Sequence, residues 1–76
     1  MADTYPYAVI LVQSLSYALK AERLLEPVGI PYKLIPVPRN LSSQCGICVR
    51  ILRDDRDRVL QILNDAQLEI VGVHEM

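Results

Sequence analysis

A length of 76 residues and a net charge of -1 leave room for one domain spanning 1–76. They argue against a nucleic-acid partner, which needs clustered basic charge. The chain is 51% hydrophobic with no Trp and no Phe, so its core must be aliphatic, and no apolar run approaches a membrane span. The opening "MADTYPYAVILVQ" lacks a basic region and a small-residue cleavage site, so no signal peptide and a cytoplasmic setting are expected.

"YAVILVQ", Tyr7 to Gln13, is a dense β-branched run, apolar on both faces as a central strand should be. Ser14 or Ser16 can then cap a helix by accepting hydrogen bonds from its first backbone N–H groups. Ala18, Ala21, Leu25 and Val28 follow at helical spacing, with Lys20, Glu22, Arg23 and Glu26 on the other side. Pro27 and Gly29 end this helix. "IPYKLIPVPR", Ile30 to Arg39, is extended but holds three prolines. A proline cannot donate to a sheet ladder, so this strand belongs at an edge.

"NLSSQCG" is turn chemistry. "ICVRILR", Ile47 to Arg53, alternates: Ile47, Val49 and Ile51 on one face, Cys48, Arg50 and Leu52 on the other. Asp54, Asp55 and Asp57 suit a helix start by capping and by dipole. Val59, Ile62, Leu63 and Ala66 form that helix's buried stripe. "LEIVGVHEM" closes as a strand. The order β-α-β-β-α-β predicts an α+β, ferredoxin-like sandwich: a four-stranded antiparallel sheet with both helices on one face. The first and third strands fall in the centre. The other face would expose Tyr32, Leu34, Leu52 or their alternates.

This topology locates the two cysteines, Cys45 and Cys48, which stand as Cys-Gly-Ile-Cys. The third strand begins beside the end of the first, where the first helix starts. Cys45 and Gly46 are therefore expected near Ser14, Ser16 and the partial positive charge of a helix N-terminus, which favours a thiolate. Arg39 and Lys33 could add positive charge, and Gly46 could take a backbone conformation that other residues resist. His74, the one histidine, is expected at the opposite end of the sheet and in solvent.

"IPVPRNLSSQCG", residues 35 to 46, resembles the signature of a small-domain family first classed as a domain of unknown function (DUF3343) and described as selenium/sulfur (Se/S) carrier protein-like. The pattern is an extended Pro-x-Pro-Arg, a Ser-rich turn, then Cys-Gly. The surrounding elements match as well, so the resemblance covers most of the chain. It implies that Cys45 carries sulfur or selenium with Gly46 beside it. Pro36, Pro38, Arg39, Ser42 and Ser43 would shape the loop, and donor and acceptor proteins would be the partners. The pattern does not include Cys48. The resemblance points to a carrier protein more than to a turnover enzyme, and no cofactor and no metal are expected.

Other readings of the same residues stay open. Cys48 could act as a resolving thiol, or be plain packing in a strand. A Cys45/Cys48 thiol–disulfide redox pair needs Cys45 to fold back toward the strand. Two thiolates are half of a tetrahedral metal site, which only a two-fold homodimer could complete. Ferredoxin-like domains also serve as non-catalytic interaction or regulatory modules.

Overall fold

The computed structural model describes residues 6–38 and 46–75. Four strands form one sheet in the order β2-β3-β1-β4, with β1 at Tyr7–Leu11, β2 at Tyr32–Pro36, β3 at Ile47–Leu52 and β4 at Gly72–Glu75. Every adjacent pair is antiparallel, and β1 and β3 occupy the centre. Helix α1 (Leu15–Leu25) joins β1 to β2, and helix α2 (Arg56–Asp65) lies between β3 and β4. The fold is α+β and ferredoxin-like, as the order of elements predicts. Among the described residues, no helix is long and apolar enough to cross a membrane.

Strand alternation divides the apolar residues between two faces. Ala8, Ile10, Val49 and Ile51 pack with Ala18, Ala21 and Leu25 of α1 and with Val59 and Leu63 of α2. Both helices therefore cover the same face. Burying each of these larger aliphatic side chains contributes about 1.5–3 kcal/mol. A smaller cluster of Val9, Leu11 and Cys48, with Ile35 and Val37 against it, lies on the other face. Tyr32 and Leu34 belong to the helix side. Their alternates Lys33 and Ile35 share the other face with Leu52, which is 43% exposed.

Both helices end in the same way. Gly29 (φ 74°) follows a short 3-10 turn at Glu26–Val28. Its N–H bonds to the Glu26 carbonyl, and the Ile30 N–H reaches back to Leu25. After α2, the Gln67 N–H bonds to Asn64 and the Leu68 N–H to Leu63. Gln67 has φ 60°. Each is a Schellman closure with a left-handed residue and a buried apolar pair, Leu25 with Ile30 and Leu63 with Leu68. The 3-10 turn shifts Val28 off the α1 stripe, leaving it 44% exposed. A second 3-10 turn, Arg53–Asp55, delays α2 to Arg56. Ile62 and Ala66 are only half-buried.

Prolines and pairing set the strand limits. β2 is an edge strand, as its prolines require, and it ends at Pro36. One further bond, from the Val37 N–H to the Gly46 carbonyl (2.9 Å), extends its ladder with β3. β4 is shorter than the sequence suggests, because Leu68 is taken up by the Schellman closure and pairing with β1 starts only at Gly72.

Candidate functional site

Five chain segments converge at one end of the sheet. β1 ends at Leu11, which pairs with Cys48 near the start of β3 and with Gly72 at the start of β4. β2 ends at Pro36, opposite Ile47. The Val71 N–H bonds to the Leu11 carbonyl at 2.7 Å, and α1 begins four residues beyond Leu11, at Leu15. The start of β3 therefore lies beside the end of β1, as the topology requires. Cys45, Arg39, Ser42 and Ser43 lie outside the described residues. Gly46, the chain neighbour of Cys45, is described and exposed.

Cys48 is fully buried on the sheet face away from the helices. Its Sγ lies 4.0 Å from the Pro36 carbonyl oxygen. A thiol in this place is shielded from solvent while the start of β3 stays paired. Pro38 is half-buried, and Pro36 is exposed.

Three expectations about this end need correction. Ser14 is the residue that precedes α1, but its side chain makes no capping hydrogen bond. The first turn closes on the Ser14 backbone instead, whose carbonyl accepts from the Tyr17 and Ala18 N–H groups at 3.1 and 3.2 Å. Ser16 lies within α1 and is exposed, past the position from which a hydroxyl can cap. Gly46 does not adopt a left-handed backbone, and a Cβ added there would meet no described residue within 4 Å. Neither backbone geometry nor packing against the described residues thus requires glycine at this position. Lys33 pairs with Arg50, and Cys48 pairs with Ile35, two residues further along β2. Lys33 lies about 7 Å along the strand from Ile35, and β2 runs on through Pro36 before the turn.

His74 is exposed, as expected, and pairs with Val9 in the middle of β1 rather than at the opposite end of the sheet. Its ring leans back along β4: a Cβ on Gly72 would sit 3.7 Å from His74 Nε2. Among the described residues, no group of three or more His, Cys, Asp or Glu side chains could hold a metal ion.

Sequence reasoning missed the charges that share the face with Cys48. The Arg50 guanidinium lies 4.2 Å above the centroid of the Tyr7 ring, a cation–π contact. The strand alternation that puts Cys48 and Arg50 on one face is the signal that could have found it. At the opposite end of the molecule, the Tyr32 hydroxyl donates to Glu26 Oε2 at 3.3 Å. Burial, then the Glu22 and Glu26 carboxylates, push this hydroxyl up to about 12. A groove of about 680 Å³ runs beside the C-terminal part of α2, lined by Leu60, Asn64, Gln67 and Ile70 among others.

The family model described as "Putative Se/S carrier protein-like" matches residues 7–75. The chain belongs to this family. The match takes in every strand and helix, and the signature between β2 and β3 with them. No curated protein and no solved structure matches this Se/S carrier-like chain.

Proposed function

We propose that this chain is a sulfur or selenium carrier that holds its cargo as a persulfide or selenopersulfide on Cys45. Membership of the Se/S carrier-like family across nearly the whole chain carries this reading. In loading, the Cys45 thiolate attacks the terminal sulfur of a donor persulfide, R–S–SH. A new S–S bond forms to Cys45, the donor's S–S bond breaks, and the donor leaves as its thiolate. Atoms and electrons balance without an outside oxidant. In unloading, an acceptor nucleophile attacks the same terminal sulfur and Cys45 returns as thiolate. Selenium follows the same two steps.

The ladder bond from Val37 to Gly46 and the pairing of Leu11 with Cys48 hold both sides of the β2–β3 turn against the sheet, which gives the signature a fixed base. Leu15 and Val71, 52% and 50% exposed, flank the same end and offer apolar footing for donor and acceptor proteins. The residues of the signature, Pro38, Arg39, Ser42, Ser43 and Gly46, would shape the loop around the cargo. Transfer of this kind makes the protein a stoichiometric carrier and not a turnover enzyme, and we assign it to the cytoplasm. Cys48 is a poor resolving thiol while it stays buried. The same exposed apolar residues favour a second reading, a non-catalytic interaction or regulatory module, with a homodimer as one form of it.

Intact mass tests both. The protein is incubated with a cysteine-desulfurase persulfide source without reductant. The expected gain is about 32 Da per sulfur, mapped to Cys45. It should be absent in Cys45→Ser and largely retained in Cys48→Ser. Equal loading of wild type and Cys45→Ser would refute the carrier. A loss of about 2 Da would mark a Cys45–Cys48 disulfide and the redox alternative. An unchanged mass would leave the interaction module.

A further inference from the structure

The strand register brings three nitrogen-bearing side chains into one row. Lys33 pairs with Arg50, Arg50 with Val9, and Val9 with His74. Residues paired across strands share a face, so this row crosses the sheet from one edge to the other on the side away from the helices. Lys33 and His74 are exposed, and Arg50 is half-buried.

Carboxylates are sorted the other way. Among the described residues, the strands contribute only Glu75. It pairs with Ala8 on the helix side and meets Arg53 and Arg56 at 3.9 and 3.8 Å. The remaining described carboxylates sit on the helices and in the turns beside them. Arg50 rests on an aromatic ring, while Arg53 and Arg56 meet a carboxylate. Two cations placed directly opposite each other on adjacent strands repel, which is a cost to the isolated fold. An approaching carboxylate would relieve it.

We propose that this sheet face is a docking surface for an acidic protein partner, with Lys33, Arg50 and His74 receiving its carboxylates. Arg50 offers a planar fork suited to a carboxylate. A face that, among the described residues, carries no carboxylate, on a chain of net charge -1, steers an acidic partner to one side of the molecule. The row of Lys33, Arg50 and His74 lies about 7 Å along the strands from the row of Ile35, Cys48, Leu11 and Gly72, and that second row is two residues short of the Val37–Gly46 bond that closes the β2–β3 ladder. A partner seated on this face sits beside the signature. In the carrier reading it is the donor or the acceptor of cargo, and only that role rests on the carrier reading.

Amide NMR of isotope-labelled protein, titrated with a poly-glutamate peptide at low ionic strength, tests the surface. Shifts are expected at Val9, Lys33, Arg50 and His74 and should vanish in high salt. Lys33→Glu should weaken binding about fivefold or more with an otherwise superimposable spectrum. An absence of shifts would overturn the proposal. So would shifts centred on Lys20, Arg23 and Arg58 of the helices, or binding untouched by Lys33→Glu. The same variant is loaded separately with a small-molecule persulfide. Normal loading with lost peptide binding supports the surface. Peptide binding at this face in a wild type that never loads removes the carrier reading and leaves the surface standing.

Discussion

The two Schellman closures form a matched pair that tests the backbone argument. Gly29 and Gln67 hold the same place in the same motif, at φ 74° and 60°. An L residue in this region costs about 1–2 kcal/mol through the approach of its Cβ to the following carbonyl. Glycine avoids that cost but loses about 0.4–1 kcal/mol more backbone entropy on folding. The difference leaves Gln67→Gly stabilising by about 0.8 kcal/mol. The Gln67 side chain is exposed, so its loss subtracts little. Gly29→Ala should destabilise by about the same amount. Nothing lies within 4 Å of a Cβ at Gly29, so no clash adds to the backbone term. For a domain of this size these values correspond to shifts in Tm of about 3–6 °C in opposite directions. Urea denaturation followed by circular dichroism at constant m-value is the assay. A midpoint that falls in Gln67→Gly, or rises in Gly29→Ala, would refute the reasoning.

Further outcomes follow from burial and charge. A maleimide probe at neutral pH should label Cys45 well before Cys48, whose thiol is fully buried. Cys48 labelling should lag an unfolded control by about a thousandfold, and equal labelling of both thiols under native conditions would contradict this. Cys48→Ser puts a hydroxyl among Val9, Leu11, Ile35 and Val37, with the Pro36 carbonyl oxygen as an acceptor near the side chain, and should cost up to about 1–3 kcal/mol, read as a lower urea midpoint. A midpoint unchanged from wild type would mean that the hydroxyl is fully satisfied, by Pro36 or by water. Tyr32 sets a pH dependence. Its pKa rises from 10.0 to about 12 in the fold, so its contribution is fully present below pH 10 and is lost as pH rises through 12. Tyr32→Phe should flatten this alkaline loss in a urea titration series. An identical slope in both proteins would rule out Tyr32 as its source.

Much of the fold is legible in the sequence because alternation and helical spacing report burial directly. The clean alternation of Ile47 to Leu52 fixed which residues of β3 face the helices, and the prolines of β2 placed it at an edge. Legibility fails where backbone and side chain compete for one role. Ser14 has the right residue type for a cap, yet the carbonyl and not the hydroxyl closes the first turn. Gln67 carries no mark of a left-handed residue, because glutamine is not a type that favours this conformation. The row of nitrogen-bearing side chains is invisible along the chain, since Lys33, Arg50 and His74 come from three strands and meet only through register. Of the candidate site, the juxtaposition of β1 and β3 was legible from topology. The role proposed for Cys45 rests on the family signature, since no periodicity points to it.

Gly46 offers the sharpest separation of these ideas. Its backbone is one that other residues adopt, it is exposed, and no described residue comes within 4 Å of the position of a missing Cβ. Gly46→Ala should therefore fold normally, with stability unchanged or raised by up to about 1 kcal/mol. One use for a bare backbone beside Cys45 is the close approach of a partner. In the carrier reading, the expected result is unimpaired loading of Cys45 from a small-molecule persulfide and slower loading from a protein donor. Full activity with both donors would make this glycine incidental. Failure with both, in a normally folded variant, would mean that the methyl group hinders Cys45 itself, and the glycine would then belong to the reacting thiol and not to the docking surface.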